Sequence, residues 1–201
     1  MEDEIEKTVA EYRNQMKEAE GSYAFRLLML DFKEKALNDE IAVWFLFKSI
    51  IKECIESPDY FETNPSAIVS TFYILNDIDN EKSFALLKWF IQNCNENTPN
   101  GAIELLSTLI TSFSNLDFKE FHTYSKSQNQ AISGIGYLTI YNLFMEGRLS
   151  KEEAEKVLEI SKNYNNNRYH ISDTHETLKF RFRELYSDEN YDNSEIDLNL
   201  L

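Results

Sequence analysis

The chain has 201 residues, 35 acidic against 20 basic, and a formal charge of −15, which disfavours a protein that holds DNA or RNA through its phosphates. Hydrophobic residues at 42% and aromatics at 13% exclude a disordered acidic chain and supply a substantial core. Five glycines and three prolines, roughly a third of ordinary usage, disfavour turn-rich β architectures.

The start, Met1-Glu2-Asp3-Glu4, is acidic where a secretory signal is basic and then apolar. No window approaches the ~20 apolar residues of a membrane span, so a cytoplasmic protein without a membrane partner is expected. Ile5, Val9, Tyr12 and Met16 line one face of an opening helix that Gly21 is expected to end. From Tyr23 to Leu37 the pattern is denser, with Phe25, Leu27, Leu28, Met29, Leu30 and Phe32. A helix apolar around more than half its circumference needs cover on two sides. Asp39 to Ile55 repeats that density with Trp44, Phe45, Phe47, Ile50, Ile51 and Cys54, and Ser57-Pro58 stops it.

Asn64-Pro65 and Thr98-Pro99 each pair a capping side chain with a proline suited to a first helical turn. Two helical patterns lie between them, Pro65 to Leu75 and Asp79 to Cys94, divided by Asn76-Asp77-Ile78. Ala102 to Phe113 follows, then Asn115-Leu116-Asp117, then a weaker helix with Phe118, Phe121 and Tyr124. Leu37-Asn38-Asp39 leads into a helix ending in Cys54, and Leu75-Asn76-Asp77 into one ending in Cys94. A period near 34 to 40 with two helices per unit is the signature of stacked helical hairpins. The two cysteines end apolar patterns rather than forming a paired motif, so both are read as reduced packing residues.

Ala131 to Glu146 is the next apolar segment. Gly134 and Gly136 near its start suggest close helix packing or a late helix start, and Gly147 is placed as its C-terminal stop. Ser150 and Glu153 have capping-box spacing before a stripe of Ala154, Val157, Leu158 and Ile160. Asn165-Asn166-Asn167 reads as a loop, and a last helix from about Asp173 holds Leu178, Phe182 and Leu185. Residues 162 to 187 carry five cations against three acids, whereas 188 to 201 carry five acids and no base.

These patterns predict an all-α chain of about ten helices, built as antiparallel hairpins stacked in an irregular α-α superhelix. One helical domain over 1–187 is expected, with repeat-like units at about 22–57, 64–95 and 98–128, and then an acidic flexible tail, 188–201. Trp44, Phe45, Leu87, Phe90, Leu105 and Leu109 are predicted to form the core between hairpins. Hairpins at this spacing resemble HEAT-like and armadillo-like repeat proteins, from about Tyr23 to Gln128. The usual interhelical proline and the Asp and Arg ladder of well-formed HEAT units are missing. In overall character, small, acidic, helical and without catalytic motifs, the chain is similar to bacterial immunity proteins of polymorphic toxin systems, a likeness that transfers no residue.

Catalytic chemistry finds little footing. His170, Asp173 and His175 are the one cluster with metal-ligating side chains, and a metal-dependent hydrolase built on them is the enzymatic alternative. Their spacing suits a helix cap followed by a first-turn histidine better than an HExxH-type site. Gly134-Ile135-Gly136 lacks the rest of a phosphate loop, and no nucleophile-elbow motif occurs. The expectation is therefore a noncatalytic protein, without cofactor or metal, that binds a basic protein partner such as a toxin domain; an acidic nucleic-acid mimic is a further alternative. Asp39, Glu40, Asp79, Glu81, Asp117 and Glu120, at the starts of successive second helices, are the expected partner-binding residues because stacking would align them along one edge. Each also suits a helix N-terminus on electrostatic grounds alone.

Overall fold

A computed structural model of the chain describes residues 2–166 and 174–186. The expected tail, 188–201, and His170 and Asp173 of the candidate metal cluster lie outside them. Among the described residues there are eleven α-helices, one 3₁₀ turn at Ile110–Ser112 and no strand. The helices are α1 (Glu2–Glu18), α2 (Gly21–Leu37), α3 (Ile41–Glu56), α4 (Tyr60–Thr63), α5 (Pro65–Ile78), α6 (Glu81–Asn93), α7 (Asn100–Leu109), α8 (Phe118–Tyr124), α9 (Gln130–Met145), α10 (Lys151–Asn163) and α11 (Thr174–Tyr186). The single-turn α4 is the element beyond the ten predicted, and four residues are too few to show a period.

Contacts run from hairpin to hairpin. In one row α2 touches α5, α5 touches α7, α7 packs along α9, and α11 adjoins α9; in the other, α1 packs on α3 and α3 on α6. The pairs α2–α3 and α5–α6 close two hairpins, and α8 and α10 both pack on α9. The chain is all-α, and its order of contacts is compatible with a helical repeat. Helix α9, buried on nearly every side, is the hub of the second half, as a helix apolar all round must be.

The first two hairpins match at an offset of 40 residues. Asp39 and Asp79 are the only non-glycine residues with positive φ among those described, at 61° and 40°. Each reverses the chain between the two helices of a hairpin, and Asp is among the few side chains that tolerate this left-handed conformation. Each lies 15 residues before a buried cysteine, Cys54 or Cys94. Between these marks the buried residues match in register: Val43 with Ser83, Leu46 with Leu86, Phe47 with Leu87, Ile50 with Phe90 and Ile51 with Ile91. The Leu-Asn-Asp match at 38 residues is two positions out of this register. Asn76-Asp77-Ile78 is consequently not a divider, because α5 continues through it to Ile78.

Several helix ends differ from expectation. Helix α1 stops at Glu18, and Gly21, with φ of 81°, opens α2 instead of ending α1. Pro65 occupies the first turn of α5 as predicted, yet the Asn64 side chain makes no cap bond and donates to Thr63 Oγ1 at 2.9 Å. Helix α7 starts one residue later than Pro99, and Thr98 Oγ1 accepts from the Asn95 N–H at 3.0 Å within the preceding turn. The capping box at Ser150 and Glu153 forms, and a second, between Asn80 and Ser83, starts α6. Gly147, with φ of 69°, lets the Arg148 N–H reach back to the Leu143 carbonyl at 3.0 Å and ends α9 as expected.

Of the six predicted core residues, Leu87 and Phe90 are fully buried. Trp44, Leu105 and Leu109 are only partly covered, and Phe45 is 54% exposed. Helix α3 is apolar on more than one face; it packs against α1, α2, α5 and α6 and buries Val43, Leu46, Phe47 and Ile50. Both cysteines are buried, and burial pushes the Cys54 thiol up to about 12, which leaves it inert as a nucleophile.

Candidate functional site

The six acids occupy hairpin junctions, and most are engaged within the chain. Asp39 pairs with Lys82 of the next hairpin at 2.5 Å. Glu40 stands at the N-cap position of α3 and accepts a short hydrogen bond from the Tyr12 hydroxyl of α1. Asp79 Oδ1 faces the Ser114 N–H and hydroxyl at 3.4 and 3.5 Å. Asp117 caps α8, accepting from the Lys119 N–H at 3.0 Å. Glu120 takes Lys88 at 2.9 Å and the Tyr124 hydroxyl at 2.7 Å. Glu81, exposed in the first turn of α6, forms no ion pair among the described residues.

Three of these contacts stitch one hairpin to the next: Asp39 to Lys82, Asp79 to Ser114 and Glu120 to Lys88. Lys33 to Asp77 at 2.9 Å does the same between α2 and α5. The acids therefore serve as lateral cross-links as well as sources of negative field. Only Asp117 acts as a side-chain N-cap, but Glu40 at the N-cap position of α3 and Glu81 and Glu120 in first turns also stand where a helix N-terminus favours negative charge.

Two tyrosines feel these carboxylates. Burial, then the bond to Glu40, pushes the Tyr12 hydroxyl up to about 12; burial, then Glu120, does the same to Tyr124. In the unfolded chain both ionise near 10, so between pH 10 and 12 the unfolded state loses protons first and stability falls as pH rises. Chemical denaturation should show nearly constant stability from pH 7 to 9 and a decline from 10 to 12. The decline should be shallower in a Tyr12→Phe, Tyr124→Phe variant; an equally steep one would assign the alkaline transition to other groups.

Between α3 and α6 lies a cleft of about 400 Å³, lined by Trp44, Phe45, Lys48, Lys82, Ala85, Leu86 and Trp89. Its floor is apolar and aromatic. Lys48 Nζ lies 5.0 Å from the centre of the Trp89 ring, and Lys82 is neutralised by Asp39. The exposed Ile41 and Phe45 stand one turn apart on α3, and the acids Asp39, Glu40 and Glu81 sit at the helix starts that flank it. The indole Nε1 of Trp44 is buried with no hydrogen-bond partner among the described residues. Sequence reasoning placed Trp44 and Phe45 in the core and so missed this cleft. The signal that could have found it is the apolar width of the Asp39-to-Ile55 segment, which exceeds what one neighbouring layer covers.

The metal reading gains nothing here. His175 falls in the first turn of α11, as expected, and its Nδ1 lies 2.7 Å from Ser161 Oγ. No cluster of three or more His, Cys, Asp or Glu side chains suited to a metal occurs among the described residues. Among the same residues no helix is long and apolar enough to cross a membrane. Comparison with protein-family models, curated proteins and solved structures finds no match.

Proposed function

We propose that the chain is a noncatalytic protein-binding module that docks a basic partner on the α3–α6 face, in the manner of an immunity protein that neutralises a toxin by direct contact. The observation that carries this reading is the aromatic cleft beside the acidic junctions. An apolar side chain of the partner fills the space between Phe45, Leu86 and Trp89, while its cationic surroundings meet Glu40 and Glu81. The charge of −15 accelerates encounter with a cationic protein, and the buried aromatic contacts set the lifetime of the complex.

The test uses the protein encoded beside this one in its genome, titrated by calorimetry and stopped flow. Phe45→Ala should weaken binding by about tenfold or more through faster dissociation. Glu81→Lys should slow association and flatten its salt dependence. Both positions are exposed, so the fold should persist. If both variants bind as the original does, the α3–α6 face is not the docking surface; if the neighbouring product does not bind at all, the immunity reading falls.

A further inference from the structure

Helix α2 is apolar on two faces, and the described residues cover one. Met29, Phe32 and Ala36 are buried against the stack, while Tyr23, Leu27, Leu30 and Leu37 are 46% to 75% exposed. At 100° per residue the exposed set falls within about 40° of a single line, roughly 145° around the helix from the centre of the buried set. Arg26 and Glu34, also exposed, flank or sit on that line. The other charged side chains of α2 are engaged, Lys33 with Asp77 and Lys35 with Asp31. Arg26 and Glu34 form no ion pair among the described residues.

We infer that this face is a two-fold interface with a second copy of the chain, α2 packing antiparallel on α2. The face is complementary to itself about Leu30 at two pairs of positions: Arg26 and Glu34 lie four residues to either side, Tyr23 and Leu37 seven, while Leu27 has Lys33 as its counterpart. In an antiparallel pair crossing at Leu30, Arg26 meets the second copy's Glu34 twice, Tyr23 meets Leu37 twice, and Leu30 meets itself on the axis. A parallel pair would set Arg against Arg and Glu against Glu. Self-complementarity of this kind is what a closed two-fold contact requires, and the opposite charges fix its register. The stripe runs about 21 Å along the helix. Helix α2 holds three cations against two acids, so two chains of strongly negative charge approach here through one of their least negative segments.

Sedimentation velocity of the full chain at about 100 µM should show a dimer. Arg26→Glu and Glu34→Arg should each weaken it by about tenfold or more, and the double charge swap should restore it. Leu30→Cys should form an oxidised dimer rapidly, whereas Ser22→Cys, off the stripe, should not; Cys54 and Cys94 are buried and stay out of the reaction. All four positions are exposed, and circular dichroism checks that the variants remain helical. A monomeric parent chain, a double swap no better than the single variants, or equal cross-linking at positions 22 and 30 would each overturn the inference. None of these outcomes bears on the α3–α6 face, which is tested by partner binding alone.

Discussion

Truncating Phe90 to alanine should lower the unfolding free energy by about 3–5 kcal/mol, the cost of removing a fully buried aromatic ring and leaving a cavity. Phe90 has no exposed surface and meets Phe72 edge to face, with ring centres 5.3 Å apart and planes at 79°. It thereby joins the two helices of one hairpin, α5 and α6. At roughly 2–4 °C per kcal/mol for a chain of this size, the melting temperature should drop by on the order of 10 °C. Phe45→Ala, on the exposed side of α3, should cost under about 1 kcal/mol by the same measurement. Equal losses at the two positions would contradict the division of α3 and α6 into a core face and an open face.

Gly136→Ala should be strongly destabilising although it adds only one methyl group. In an exposed helix interior the same substitution is favourable by about 1 kcal/mol. Here a Cβ on Gly136 would stand 2.3 Å from the Ser125 backbone nitrogen, 2.6 Å from the Tyr124 carbonyl carbon and 2.8 Å from the Phe121 carbonyl oxygen. These are backbone atoms at the C-terminal end of α8, and no rotamer change can move them aside. The two helices must separate, which costs about 1–3 kcal/mol or more for overpacking and reverses the ordinary sign. Gly101→Ala is the control, since its Cβ would meet the Phe61 ring edge at 2.9 Å, a side chain that can yield. Denaturant titration should show a large loss for Gly136→Ala and a small change for Gly101→Ala; comparable small changes in both would mean that α8 and α9 do not pack this closely.

The same contacts show why the two proposed surfaces differ in kind. At the α3–α6 face, Lys48 and Lys82 are already occupied by Trp89 and Asp39, so an occupant finds apolar surface rather than free cations. On α2 the uncovered stripe carries one free cation and one free anion, placed symmetrically. The first suits an unlike partner and the second a like one.

What the sequence determined by itself was local. Apolar spacing of three and four residues specified ten of the eleven helices, and Gly147, Ser150 with Glu153, and Asp117 marked helix ends correctly because each acts on backbone groups within a few residues of itself. The match between the first two hairpins was visible too, through Cys54 and Cys94, since units that stack alike must bury alike. Tertiary structure decided everything that depends on which neighbour arrives. Phe45 and Phe90 are equally apolar in the sequence; only the packing of α3 and α6 buries one and leaves the other at the mouth of a cleft. Asp39 and Glu120 read as helix-start acids, and their lysine partners, Lys82 and Lys88, become visible only when hairpins stand side by side. Gly136 is ambiguous between a packing notch and a helix start until the backbone of α8 is seen crossing it. Helical periodicity records how much of a helix is apolar, but a covering surface comes from segments tens of residues away, and so the sequence marked α2 and α3 as needing cover on more than one side without saying which side the chain itself would supply.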